Sequence, residues 1–424
     1  MNLLVVGGGG REHAIIKKLR ENPTVETIYC LPGNGGIAAD AVCVDIAAKD
    51  IDAIVNFAQQ NPVDFAVVAQ DDPLALGCVD RLHALGIPCF GPDAKAARIE
   101  SSKVFAKNLM KKYGIPTADY QTFDRAEDAL SYLVNAAYPI VIKADGLALG
   151  KGVLICQDLA QARQAISEIM EDKVFGASGN RVVIERFLTG PEVSVLSFTD
   201  GNTIVPMVSS MDHKRAGDGD TGLNTGGMGT IAPNPCYTSE IAAQCMEEIF
   251  LPTIRAMKAE GCPFKGCLYF GLMLTPDGPK VIEYNCRFGD PETQVVLPLL
   301  ETDLLTVMQA VENETLSQLS VSWSAGAAAC VILASGGYPV HYEKGKEIQI
   351  PETLPADVTV YHAGDKLVDG KLLTSGGRVL GVTATADSLK LALDKAYSAA
   401  RTIHFEGAYM RSDIGKRALS LMEE

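Results

Sequence analysis

Short apolar runs alternate with amphipathic stretches at the start of the chain. Leu3 to Val6, Thr27 to Cys30, Phe65 to Val68 and Cys89 to Phe90 read as strands, and Glu12 to Arg20 and Ile51 to Gln60 read as helices. This order predicts a parallel, doubly wound sheet, whose ligands sit beyond the carboxyl ends of the strands. A further helix from about Ser101 to Tyr113 is stopped by Gly114-Ile115-Pro116, which marks a boundary. A second α/β region runs to about Leu319. From Trp323 the pattern turns to strands at Ala327 to Leu333, Val358 to His362 and Val379 to Thr383, with a helix from Leu389 to Thr402. The reading is three domains, 1–102, 103–322 and 323–424, the first a doubly wound α/β sheet and the last a mixed α+β unit.

Composition narrows the classes. A length of 424 residues suits several domains of about 100 to 200 residues each. With 47% hydrophobic and 21% charged residues, the chain is neither disordered nor fibrous. A net charge of −15 opposes nucleic acid and anionic membrane as partners. The richest cationic stretch, His213-Lys214-Arg215, runs at once into Asp218 and Asp220, which suits a small anion and not a phosphate backbone. No apolar run reaches the roughly 18 residues of a membrane span, and no secretory signal opens the chain. The 11 cysteines lack any C-x-x-C and read as reduced thiols, which implies a cytoplasmic setting.

The stretch from Lys280 to Gln294, KVIEYNCRFGDPETQ, carries the most chemistry. On a strand at Val281 to Tyr284, period-2 alternation points Glu283 and Asn285 to one side. A carboxylate and an amide oxygen there suit a hard divalent cation that leaves places for phosphate, and Arg287 adds an anion-binding guanidinium. Glu-x-Asn alone is also compatible with a polar strand end entering a turn.

Val5-Val-Gly-Gly-Gly-Gly-Arg-Glu-His13 takes a strand into a helix through glycines, a geometry that offers backbone amides to phosphate at Gly9 and Gly10. It fails the dinucleotide fingerprint, because from Gly7 or Gly8 the sixth position is Glu12 or His13. A second glycine turn, Gly33-Asn34-Gly35-Gly36, follows the second strand, so two turns could face one phosphate; two tight turns without a ligand fit the same pattern. Asp71, also at a strand end, is placed to hold ribose hydroxyls or to sit in a plain turn. Lys143 precedes a glycine-rich loop ending Gly150-Lys151-Gly152, with only three residues between Gly146 and Gly150, so it is not a P-loop. Asp212 to Gly229 holds too many glycines for a packed element and reads as a functional loop, with Asp212, Lys214, Asn224, Thr225 and Gly226 as substrate contacts.

Taken with VVGGGGREHA from Val5, PGNGG from Pro32, FGP from Phe90, IKADGLALGKGV from Ile142, DHKRAGDGDTGLNTGGMG from Asp212 and YMRSDIG from Tyr409, the RFGDPETQ segment resembles the phosphoribosylamine-glycine ligases, ATP-grasp enzymes of purine synthesis. The likeness runs from Met1 to the last helix. It implies a central ATP-grasp domain that uses ATP with Mg²⁺ or Mn²⁺. Lys103 and Lys143 would meet the nucleotide phosphates under the loop Gly150 to Gly152. Glu185 and the backbone near Leu188 would read adenine, and Glu192 the ribose. The metal would sit on Glu283 and Asn285, and Arg287 and Asp290 would hold the amino acid. Asp71 and Leu223 stand where the family commonly has Glu and Pro, and Tyr269 to Leu274 lacks the further carboxylate of many ATP-grasp enzymes.

The implied reaction joins glycine to 5-phosphoribosylamine. A carboxylate resists amine attack, so ATP first converts it to an acyl phosphate. The chain is expected to act as a cytoplasmic monomer on small molecules. Two rivals are separated by residues. A bicarbonate-using carboxylase would share the lysines and Glu-x-Asn but lack RFGDPETQ, and a nicotinamide oxidoreductase would need the missing fingerprint.

Overall fold

The computed structural model describes residues 1–148 and 152–423. The alternating pattern of the first segment gives a five-stranded parallel sheet, in spatial order Val42–Cys43, Thr27–Pro32, Asn2–Gly7, Phe65–Val68 and Cys89–Phe90. The chain steps to one side of Asn2–Gly7 and then to the other, so the glycines after this strand lie at the switch point where such sheets open a crevice. Asp71-Asp72-Pro73 begins the short helix Asp71–Ala75 and is not a plain turn.

The helix Lys103–Tyr113 starts at Ser102, whose hydroxyl accepts the Phe105 amide, and stops at Gly114 in the left-handed region (φ 68°). Two antiparallel four-stranded sheets follow. One is ordered Tyr120–Phe123, Val182–Arg186, Ile140–Ala144, Val153–Cys156; the other Ile204–Pro206, Glu192–Asp200, Lys265–Thr275, Gly278–Asn285. They face each other across a cleft.

The glycine-rich run after Asp212 does contain regular structure. Arg215–Gly217 and Thr221–Asn224 pair as a hairpin. Flanking strands Met211–Asp212 and Gly229–Ala232 join the sheet built from Ala327–Ser335, Arg378–Ala386 and Val358–His362, so that sheet takes strands from both sides of residue 322. The helix Leu389–Ala400 covers it through Ala392, Leu393 and Ala396. Among the described residues no helix is long and apolar enough to cross a membrane.

Candidate active site

A cleft of about 1010 Å³ opens between the two antiparallel sheets and is closed at one end by the first sheet and the C-terminal segment. Lys103, Lys143, Glu185, Leu188, Glu192, Asp212, Lys214, Asn224, Thr225, Gly226, Glu283, Asn285, Arg287, Asp290, Asp71 and Gly152 all line it. Gly150 and Lys151 lie outside the described residues.

Glu283 and Asn285 flank the buried Tyr284 at the end of Gly278–Asn285. A β-bulge precedes them: Gly271 pairs with Glu283 and Leu272 with Val281, leaving Ile282 extra. The unpaired Ile282 carbonyl accepts Lys143 Nζ at 2.8 Å. Burial raises the Glu283 carboxyl, but Lys214, Lys143, Lys103 and Arg287 outweigh it and hold it below its ordinary value. Glu283 is therefore an anion. Among the described residues no three or more His, Cys, Asp or Glu side chains gather as a metal site. An ionised carboxylate beside an amide oxygen fits Mg²⁺ or Mn²⁺ only if phosphate oxygens and water fill the remaining octahedral places, and the cations around the cleft suit such a phosphate.

Lys143 and Lys107 share one carboxylate. Lys143 Nζ is 2.5 Å from Glu185 Oε1, and Lys107 binds Glu185 Oε2 and donates to Thr117 Oγ1 at 2.7 Å. Burial pulls the Lys107 ammonium down to about 8. Beside this group Leu188 packs with Ala118, Met273 and Ile282, an apolar wall suited to a flat ring. Lys103 Nζ donates to the Gly146 carbonyl at 3.0 Å, and Asp145 ties the start of the glycine loop to Ser102 and the Val104 amide.

Arg287 is held from a distant part of the chain. Its Nη2 lies 3.0 Å from Glu100 Oε1, which also accepts Asn285 Nδ2 at 3.1 Å, while Glu100 Oε2 accepts the Cys286 amide at 2.7 Å. Arg287 Nε is buried without a partner. Burial raises the Asp71 carboxyl, but Arg287 and Arg11 hold it below its ordinary value. Lys214 stands 3.3 Å from Glu192 and 3.6 Å from Glu283, and Glu192 first keeps its ammonium well above the ordinary lysine value. Burial and then Glu292 push the Asp212 carboxyl well above its usual range, while Glu292 accepts the Tyr269 hydroxyl at 3.1 Å.

The glycine turns are placed differently. Gly9, Gly10, Gly33, Asn34 and Gly35 are not on the wall of this cleft, where Arg11 and Asp71 represent the first sheet. The Gly9 amide donates to Glu12, and Asn34 Nδ2 to the carbonyls of Gly8 and His362, so these groups satisfy one another. A side chain at Gly8 would overlap the Gly33 carbonyl, which is why the two turns meet as glycines.

Sequence reasoning passed over Glu100, Lys107, Arg11, Glu292 and Arg378. Arg11 and Glu292 lay inside quoted motifs. Glu100, Lys107 and Arg378 left no local signal.

The antiparallel sheets enclosing a lysine-lined cleft beside a carboxylate define an ATP-grasp enzyme. Residues 1–100 match the family model described as "Phosphoribosylglycinamide synthetase, N domain", 101–293 its ATP-grasp (A) domain and 328–417 its C domain. The chain belongs to the phosphoribosylglycinamide synthetase family. It is 49% identical to the phosphoribosylamine–glycine ligase of Caldanaerobacter subterraneus subsp. tengcongensis, over 98% of this chain and 99% of that one. The crystal structure of the phosphoribosylamine–glycine ligase of Thermotoga maritima superimposes with a TM-score of 0.87 at 35% identity, covering 98% of this chain and all of that one. A biotin carboxylase of Campylobacter jejuni shares the fold, with a TM-score of 0.75 at 14% identity over 100% of this chain and 95% of that one.

Proposed function

We propose that this chain ligates glycine to 5-phosphoribosylamine, with ATP converted to ADP and phosphate in purine synthesis. The observation that carries the reading is the convergence of Lys103, Lys143, Lys214 and Arg287 on the cleft that holds Glu283 and Asn285, in a chain of this family. In the first step a glycine carboxylate oxygen attacks the γ-phosphorus, the bond to the β-phosphate oxygen breaks, and ADP leaves glycyl phosphate behind. In the second the ribosylamine nitrogen attacks the carbonyl carbon, phosphate departs with its bonding pair, and the amine loses a proton.

The residues divide the work by chemistry. Lys103 and Lys143 neutralise nucleotide phosphates as point charges, and the family resemblance assigns Gly150, Lys151 and Gly152 to the same phosphates. Glu185 and the Leu188 backbone meet the adenine and Glu192 the ribose of ATP. Glu283 and Asn285 would hold Mg²⁺ or Mn²⁺, which would neutralise charge on phosphate oxygens. Arg287 and Asp290 orient glycine through its two charged ends, and Lys214 faces the transferred phosphate. Asp212, whose Oδ1 accepts the His213 amide, lines the cleft where the amine loses its proton. The acceptor lies toward the first sheet, with Asp71 and Arg11 at its ribose and the turns Gly9-Gly10 and Gly33-Asn34-Gly35 toward its phosphate end, joined by Asn224, Thr225 and Gly226 from the opposite wall.

We assign the division at 1–102, 103–322 and 323–424 to three functional units, and a monomer in a reducing cytoplasm, supported by the free state of all the cysteines. ADP release tests the proposal. It should be slow with glycine or 5-phosphoribosylamine alone and rise sharply with both. Equal release with bicarbonate in place of glycine would overturn it.

A further inference from the structure

The hairpin Arg215–Gly217 and Thr221–Asn224 lacks a means of holding itself. It pairs with no other sheet among the described residues, and its strand residues are half-buried or exposed. An isolated two-stranded ribbon is marginal in water. Yet its two roots carry Lys214 and Thr225, and the Lys214 carbonyl accepts both the Thr225 amide at 2.7 Å and its hydroxyl at 2.9 Å.

Its support comes from the far end of the chain, the YMRSDIG segment. Arg411 is 1% exposed, and every guanidinium nitrogen is engaged. Its Nη1 donates to Asp220 Oδ1 at 2.9 Å and to the Arg215 carbonyl at 3.1 Å. Its Nε and Nη2 grip the two oxygens of Asp413 at 2.8 and 2.9 Å. Asp413 in turn accepts the Gly219 amide at 2.8 Å. Asp218 accepts the Ser412 amide and hydroxyl, and the Tyr409 hydroxyl donates to the Ala216 carbonyl at 2.7 Å. At the root, the Gly415 amide donates to His213 Nε2 at 3.1 Å. The tip, one strand and the base of the hairpin are all held, and the carbonyl of Arg215, the residue after Lys214, is among the points gripped.

We propose that the segment Tyr409–Gly415 is a strap that fixes this hairpin against the cleft, and that Arg411 is a positioning residue that acts through Lys214 and Asn224. The inference rests on the ligase reading above. A fork that holds a carboxylate, a second carboxylate and a carbonyl at once cannot be replaced by a lysine, whose ammonium is a compact point charge. Arg411 therefore does for the hairpin what a hydrophobic core does for an ordinary element.

The test uses Arg411→Lys and Asp220→Asn in the full chain. Asp220 has a half-exposed side chain and a left-handed backbone (φ 54°) that asparagine tolerates, so this second variant keeps the fold even where the first does not. Arg411→Lys should keep its melting temperature close to the parent. It should lower kcat about tenfold or more, because misplacing a group near the chemistry costs far more than it costs stability. Direct ATP binding should hold within about twofold, since the nucleotide wall at Leu188, Met273 and Ile282 is not touched by the strap. Hydrogen exchange at 215–224 should accelerate in both variants, and the double variant should be no worse than Arg411→Lys alone. Unchanged kcat beside faster hairpin exchange would overturn the proposal, as would activity losses that simply track melting temperature. Failure of the ligase reading shows separately, as a parent enzyme that releases no ADP with both substrates.

Discussion

Arg378, at the start of the strand Arg378–Ala386, places its Nη2 3.2 Å from Asp290 Oδ2 and its Nη1 2.8 Å from the Asp290 carbonyl oxygen. The same Nη1 reaches the Gly226 carbonyl at 2.6 Å. One side chain of the C-terminal sheet thus ties the turn of RFGDPETQ to the loop below the hairpin. Burial raises the Asp290 carboxyl, and Arg378 leads the groups that outweigh it and keep it ionised. Arg378→Lys should lower kcat/KM for glycine about ten- to a hundredfold with a smaller effect on ATP, because the fork on side chain and main chain is lost. Steady-state kinetics with each substrate varied checks this.

Glu100→Gln should weaken the fold and the site together. Glu100 is 7% exposed and pairs with Arg287, whose Nε already lacks a partner, so removing its charge strands a buried guanidinium. Breaking one side of a buried pair costs about 3 to 5 kcal/mol. Denaturant midpoints measure that loss. The Asn285 amide keeps the Tyr284 carbonyl at 2.9 Å but loses a charged acceptor, so the metal concentration needed for half-activation should rise.

Lys107→Met should raise the KM for ATP. When nucleotide phosphates engage Lys143, Lys107 becomes the one partner left to Glu185 among the contacts described here. Because burial sets Lys107 at about 8, the parent should bind ATP progressively more weakly as pH rises through that value. The methionine variant should lack this inflection. Binding isotherms across the range read it directly; a persisting inflection would assign it to another group.

Acid should destabilise the junction of the first sheet and the C-terminal sheet. His13 Nδ1 accepts the His362 amide at 2.8 Å, which leaves the ring hydrogen on Nε2, 2.8 Å from Asp40 Oδ2. Burial lowers His13 below 6.5, with Lys17 and His362 also opposing its charge and Asp40 favouring it. The unfolded chain takes up protons near pH 6.5 while the folded ring does not, so stability falls as pH drops through 6.5 and levels off below the lowered value. Asp40, held far below 3.8 chiefly by its bond to His13, adds a further loss below about pH 3.8. Melting temperatures should fall more steeply for the parent than for His13→Gln between about pH 7 and pH 5.

Local periodicity determined most of the elements. Ile51–Gln60 and Val358–His362 form where the side-chain pattern places them, because each buries one stripe or face, and Phe65–Val68 forms as a continuous apolar run buried on both faces. Glu283 and Asn285 reach the same cleft because strand alternation is a short-range property, and the bulge at Ile282 falls before both. Glycine content misled at 215–224, where cross-chain hydrogen bonds to Arg411, Ser412 and Asp413 sustain a hairpin that its own residues do not announce. The two glycine turns were legible as turns, but only the fold shows that Glu12 accepts the Gly9 amide and that Asn34 Nδ2 bridges the carbonyls of Gly8 and His362. What only the tertiary structure decided is which charges meet. Glu100 with Arg287, Lys107 with Glu185, and Arg378 with Asp290 are pairs from distant segments, and no spacing rule within one segment can register an energy that exists only when two segments fold together.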